Sequence, residues 1–416
     1  MRRDGGHHGE ATQRGGAPAV PSLIAFSAVT TAAMAAATLL PFALGALAPF
    51  VTQEFGLTRS AFGTLSTALF VVAAALSPAA GRLADRLGGR LLLSLHFLLA
   101  GTAFTVLAVA GGYPALLLGC VVAGLPQALG NPLTNALVSR HVPPGRQGLV
   151  IGVKQSGVQI GVALTGAALP ASAVLLGWRP TVLATAGVIL ALAVASWPVV
   201  PPGRPAVAPE PEGGRTPIWP TVRWLSAYGA LMGASGAAVA AYLPLFAFEE
   251  LAMDPGQAGR VAAVTGVFGV IARIIWGWWS ERAARVAVPL GLLAAGAVVA
   301  HLLILASPAV GAWMLWAGAV AFGATAAAWN SVGMLAILRL LDPADAGRAS
   351  GWILTAFFIG FIVSPPAFGF VVDLTDTYLL AWSGITVAVA LATALCVAWA
   401  LQSSRRERRV AAGAGR

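Results

Sequence analysis

Two cations, Lys154 and Arg273, lie inside long apolar segments, whereas all fifteen carboxylates fall in loops, segment ends or tails. An ionised side chain at bilayer depth costs roughly 2.5–3.5 kcal/mol on insertion scales, so it normally keeps a partner. No embedded Asp or Glu is available to either cation, which leaves an anionic ligand as a natural counter-charge. An Arg offers such a ligand a planar, two-pronged fork and a Lys offers a point charge. Neutral groups at the same depth extend the set: Gln155 beside Lys154, Gln127 and Asn131 followed by Asn135 at four-residue steps, the pair Trp329-Asn330, and Tyr228 with Tyr242. Hydrogen bonding between helices is the alternative role for each of these.

Other chemistries lack their residues. A membrane enzyme needs paired carboxylates, an H-E-x-x-H run or a Ser/Lys dyad at bilayer depth, and none is present. Cys120 and Cys396 sit singly in apolar spans, so neither a disulfide framework nor a metal site is indicated. No cofactor and no catalysis are expected. The net charge of +10 raises nucleic acid as a partner. The basic residues, however, form short clusters between apolar spans, which is how membrane topology is written.

The elements that must hold these groups are membrane helices. Hydrophobic residues make up 58% of 416 and charged residues 10%, with a mean hydropathy of +0.82. The natural solvent of such a chain is lipid. A helix needs about 20 apolar residues to cross a bilayer. Such runs occur twelve times, near 22–51, 61–81, 91–110, 113–139, 149–175, 179–200, 223–248, 259–280, 286–306, 309–339, 350–372 and 378–401. The fourth and tenth are long enough to tilt or to project past the lipid.

An even count puts both termini on one side. With the N-terminus inside, the inner segments carry twenty Arg, and the outer loops carry three: Arg59, Arg179 and Arg260. That ratio places both termini in the cytoplasm. Abundant Ala, Gly and Arg with a single Lys is the usage of a GC-rich bacterial genome, so the expected home is the inner (plasma) membrane.

The Pro/Gly/Glu-rich stretch 201–222 cannot build a core and divides the spans six and six. The expected organisation is a disordered cytosolic tail (1–20), an N-terminal six-helix bundle (21–200), a cytosolic linker (201–222), a C-terminal six-helix bundle (223–402) and a basic tail (403–416). GRLADRLGGR at 81–90 follows the second span, and GWWSERAAR at 277–285 follows the eighth. Repetition at a six-span offset is the trace of a duplicated bundle with its binding site between the halves. The fold class is thus all-α: twelve transmembrane helices in two pseudo-symmetric bundles, with one chain sufficient.

The stretch Gly81-Arg82-Leu83-Ala84-Asp85-Arg86-Leu87-Gly88-Gly89-Arg90 resembles the G-x-L-a-D-r-x-G-r-k loop signature of the major facilitator superfamily, at the position where that family carries it. The resemblance implies alternating-access transport, with Gly81, Asp85, Arg86, Gly88 and Arg90 latching the bundles. For Glu281 and Arg282 in the degraded second copy, where Glu replaces the Asp, the resemblance implies a like role on a poorer match to the signature. Two patterns of the family's drug/proton exchangers are missing. Cys120 stands where their fourth-span Arg would be, and span five reads GVALTGAALP with no Gly-Pro pair.

Span five runs Gly152-Val-Lys154-Gln155-Ser156-Gly157-Val-Gln159-Ile-Gly161, with Gly166 beyond, a glycine stripe for close approach of a neighbouring helix. The family's sugar porters bind substrate through a Gln at a similar depth. Arg273 lies eight residues before Glu281, about 12 Å along the helix. Its R-x-x-x-G spacing to Gly277 is similar to the element by which monocarboxylate and oxalate/formate porters hold a carboxylate. Spans five and eight are neighbours in that fold, so Lys154 and Arg273 are expected to face each other across a shared pocket. These residues imply traffic of a small organic anion, with efflux of a drug-like or natural-product compound as the alternative.

Overall fold

The computed structural model describes residues 22–86, 88–201, 219–341 and 343–414, with side chains except at 78, 81, 82, 84–86, 144, 343–348 and 403–414. The expected N-terminal tail and residues 202–218 of the expected linker lie outside the described residues, as do the side chains of the basic tail. The described elements are α1 (Leu23–Ala46), α2 (Ala48–Phe55), α3 (Arg59–Arg86), α4 (Gly89–Ala108), α5 (Tyr113–His141), α6 (Pro144–Leu176) and α7 (Trp178–Ala195). They continue with α8 (Trp219–Glu249), α9 (Pro255–Arg282), α10 (Ala287–Val310), α11 (Ala312–Ala324), α12 (Trp329–Leu340), α13 (Pro343–Thr375) and α14 (Tyr378–Ala414). Among the described residues, twelve helical segments are long and apolar enough to span a bilayer, matching the twelve expected runs. In lipid a helix is the form that satisfies its own backbone.

Local chemistry sets several ends. Ser22 Oγ accepts from the Ala25 amide at 3.3 Å and opens α1. Asp254 Oδ1 accepts from the Gln257 amide at 2.9 Å and opens α9, with Pro255 in the first turn, where its missing N–H costs nothing. The fourth span is one continuous helix despite Pro126 and Pro132. The tenth differs from the single long helix its length predicts. It breaks at Thr325 (φ −128°, ψ −81°) into α11, a 3-10 turn over Ala326–Ala328, and α12. Thr325 Oγ1 bonds back to the Ala321 carbonyl at 2.6 Å, a contact that bends helices.

Packing repeats at the six-span offset. In the first half α1 packs on α6, α3 on α5, and α4 on both α5 and α7. In the second, α8 packs on α13, α9 on α11, and α10 on both α11 and α14. The halves meet where α3 lies along α13, α6 along α9 and α1 along α8. A Cβ on Gly166 would sit 2.5 Å from the Ala263 nitrogen and 2.6 Å from the Gly259 oxygen, so α6 and α9 touch backbone to backbone. The glycine stripe of span five therefore serves two neighbours. Gly157 and Gly161 face Thr31 and Ala35 of α1, while Gly166 faces α9.

One end of this interface is tied by charge and hydrogen bonds. Asp373, late in α13, accepts from the backbone amides of Arg59 (2.9 Å) and Ser60 (2.8 Å) and from Ser60 Oγ (2.6 Å), capping α3 from the opposite half. Arg59 Nη2 pairs with Glu249 Oε2 at 3.1 Å, and Tyr378 donates to the same oxygen at 2.7 Å. The Tyr242 hydroxyl lies 2.7 Å and 2.8 Å from the carbonyl oxygens of Arg59 and Pro365.

Candidate functional site

Between the halves, below that tied end, lies a cavity of about 150 Å³. From the first half, α1 supplies Thr38, α3 Phe70, α5 Gln127 and Asn131, and α6 Gln155 and Gln159. From the second, α9 supplies Thr265 and Arg273, the broken tenth span supplies Ala327, Trp329 and Asn330, and α13 supplies Phe357, Phe358 and Phe361. Arg273 is the one charged residue on the lining, among the described residues.

The break in the tenth span holds Arg273 in place. An intact helix consumes its carbonyls internally, whereas a broken one offers them sideways. Arg273 Nε donates to the Ala327 oxygen at 3.3 Å, and Nη1 donates to the Gln155 oxygen at 2.7 Å. Gln159 Nε2 reaches the same Ala327 oxygen at 3.4 Å, and Trp276 Nε1 donates to the Ala324 oxygen at 2.8 Å. Nη2 takes part in neither of the Arg273 bonds. No described carboxylate forms an ion pair with Arg273, since the described pairs are Arg59–Glu249 and Arg179–Glu54.

The amides are partly committed to one another. Gln155 Nε2 donates to Asn131 Oδ1 at 2.9 Å. Gln127 Oε1 is buried without a hydrogen-bond partner, a state that normally has a cause such as a ligand donor.

The structure corrects two sequence expectations here. Lys154 does not share the cavity with Arg273. Its side chain is fully buried and its ammonium donates to Thr134 Oγ1 at 2.8 Å, on α5 inside the first half. Successive residues of a helix point about 100° apart, so Gln155 facing the cavity turns Lys154 away from it. Tyr228 is also off the lining: its hydroxyl donates to the Leu290 oxygen at 2.9 Å, and its ring packs at 6.0 Å behind Trp329. Asn135 is exposed and Tyr242 belongs to the tied end.

The residues expected to latch the bundles divide. Of Gly81, Asp85 and Arg86 only the helical backbone is described. Gly88 caps α4. Arg90 stays within its own half, with Nε 2.6 Å from the Val200 oxygen and the guanidinium 5.4 Å from the Trp197 ring. Arg282 bonds to Trp278 of its own helix at 2.8 Å and Glu281 is exposed. Neither Arg90 nor Arg282 crosses between halves in these contacts.

Sequence reasoning overlooked Gln159, Thr38, Thr265 and the phenyl groups of α13. The four-residue step from Gln155 to Gln159 was a legible signal for the first. The phenyl groups looked like ordinary membrane residues.

The family model described as Major Facilitator Superfamily matches residues 23–248 and 224–416. The chain is 26% identical over 309 residues to an uncharacterized MFS-type transporter of Mycobacterium tuberculosis, covering 73% of this chain and 68% of the relative. It is 27% identical over 377 residues to a probable nitrate/nitrite transporter of the same organism, covering 86% and 91%. Among solved structures, a bacterial homolog of the human lysosomal transporter Spinster, inward-facing and occupied, superposes with a TM-score of 0.74 at 16% identity. It covers 90% of this chain and 95% of that one. At that identity the likeness speaks for the fold.

Proposed function

The chain belongs to the Major Facilitator Superfamily, and from that premise we propose that it carries a small organic anion across the membrane by alternating access to the cavity between its halves. A transporter of this family is a multi-pass membrane protein and not an enzyme. The observation that carries the anion reading is Arg273, a lining cation with no carboxylate partner among the described residues. A ligand carboxylate offers its guanidinium the charge-assisted bonds that the site itself does not supply. The similarity to a nitrate/nitrite transporter supports an anionic cargo.

The substrate set proposed is Arg273 as anchor, with Gln155, Gln159, Gln127, Asn131, Asn330 and Trp329 around it; Lys154 and Tyr228 lie outside this layer. Alternation needs an end that closes and reopens. The Asp373, Arg59 and Glu249 cluster is that closure, on the face that the Arg distribution assigns to the outside. The native chain works as a single copy in the plasma membrane, with both termini in the cytoplasm.

The test is uptake into proteoliposomes with a panel of labelled carboxylates and inorganic anions, wild type against Arg273→Ala. Anion uptake that vanishes in the variant supports the reading. Anion uptake that survives intact defeats it and favours the efflux of a drug-like or natural-product compound.

A further inference from the structure

We infer that the cavity selects an aromatic monocarboxylate, with its carboxylate on Arg273 and its ring against the phenyl groups of α13; this rests on the anion reading above. The phenyl wall is continuous. Phe70 lies 4.4 Å from Phe361 and 5.5 Å from Phe358 between ring centroids, and Phe357 lies 4.9 Å from Phe361. All four line the cavity. Trp329, 5.1 Å from Phe357, carries the wall to the break in the tenth span.

That break joins the two recognition elements. Ala327, whose carbonyl holds the Arg273 Nε, is two residues from Trp329. The cation and the ring wall therefore begin at one short segment, and a ligand whose ring sits directly on its carboxyl group engages both. Aromatic faces and edges favour tilted and edge-on partners over plain aliphatic ones, and the centroid pairs here are tilted by 44–55°.

The charge count narrows the class further. One lining cation neutralises one carboxylate, and a second ionised group on the ligand would be buried without a partner. Inorganic anions and short hydroxy acids satisfy Arg273 but leave the phenyl wall unused.

The experiment is counterflow in proteoliposomes preloaded with unlabelled benzoate, which needs no knowledge of the coupling ion. Labelled benzoate is the tracer, and cyclohexanecarboxylate, lactate, nitrate and phthalate compete. The expected result is a half-maximal concentration for benzoate about tenfold below lactate and nitrate, and about threefold below cyclohexanecarboxylate, the margin of ring-specific contacts. Phthalate, a dianion, competes weakest. Phe361→Leu, close in volume, raises the benzoate value by a larger factor than the lactate value.

Lactate or nitrate competing as well as benzoate overturns the aromatic assignment while leaving anion transport standing. Cyclohexanecarboxylate matching benzoate overturns it too, since an apolar pocket would then suffice. If benzoate shows no counterflow while lactate or nitrate does when preloaded and labelled in its place, only the aromatic assignment falls; if none of the three shows counterflow, the anion reading falls with it. The wild-type comparison alone decides these outcomes should the Phe361 variant not fold.

Discussion

Arg273 Nη1 lies 2.7 Å from the main-chain oxygen of Gln155, a hydrogen bond that crosses from the second half of the molecule to the first. The guanidinium is thus part of the contact between the halves as well as the proposed anion anchor. A carboxylate bound as proposed would share the guanidinium with that carbonyl, which would couple ligand binding to the way α6 and α9 meet.

Arg273→Lys tests the fork as distinct from the charge. An ammonium on a flexible stem cannot hold the Ala327 and Gln155 oxygens and a carboxylate in one plane. Losing one charge-assisted bond costs about 1.5–3 kcal/mol, so KM for the carried anion rises roughly 10- to 150-fold. Initial-rate uptake against substrate concentration measures it. An unchanged KM would mean that charge alone is recognised.

Lys154→Met separates the two embedded cations. The Lys154 ammonium bonds to Thr134 inside the first half and contributes nothing to the lining. Replacing a buried charge by an apolar side chain of similar volume is often neutral or stabilising. The expected outcome is a KM within about twofold of wild type and no loss in thermal stability. A collapse of anion affinity in this variant would put the lysine back in the binding path.

The contrast between these residues shows what the sequence could carry. Twelve apolar runs have one physical meaning, and their order was readable because lipid admits few alternatives. Arg273 was readable because a cation deep in an apolar helix must face something polar. The failure at Lys154 was one of rotation: a single step along α6 separates it from Gln155, and no residue type says which of the two faces the cavity. Asp373 and Glu249 entered the sequence reading as loop charges, because a census for topology ignores which helix end each one meets. The break at Thr325 has no proline to announce it, so the carbonyls that orient Arg273 were invisible.

Glu54 provides a pH prediction on the same face as the tied end. Its burial pushes the carboxyl pKa up, but hydrogen bonds from Arg179 and Trp178 and the Arg179 charge outweigh this and hold it below the ordinary value of 4.5. Arg179 also donates to the Ala108 and Ala110 oxygens, stitching α2, α4 and α7 together. A group with a lowered folded-state pKa stabilises fully above its unfolded value, and that stability is lost as pH falls through the folded value. Both side chains are a third or more exposed, so the effect is small, about 1–2 °C in Tm. Thermal unfolding in detergent near pH 6 and near pH 3.5 should show wild type losing more than Glu54→Gln. Equal losses would remove the pair from the stability of that face.

Asp373→Asn tests the closure. The carboxylate caps α3 through the Arg59 and Ser60 amides and Ser60 Oγ, and it does so from the other half, so the cap exists only while the halves are together at this end. An amide presents one acceptor where the carboxylate presents two, and it loses the charge that the helix N-terminus favours. A cap of this kind contributes about 0.5–2 kcal/mol. Its weakening shifts the equilibrium toward the form open at this end by roughly 2- to 30-fold. Spin labels on Gln53→Cys of the first half and Gln257→Cys of the second, both exposed at this end, report the spread as a growing long-distance population. Glu249→Gln, which leaves the cap intact but removes the Arg59 pair, should shift it less, because an exposed ion pair contributes at most about 1 kcal/mol. A distance distribution unchanged in Asp373→Asn would mean that the glycine contacts between α6 and α9 close this end on their own.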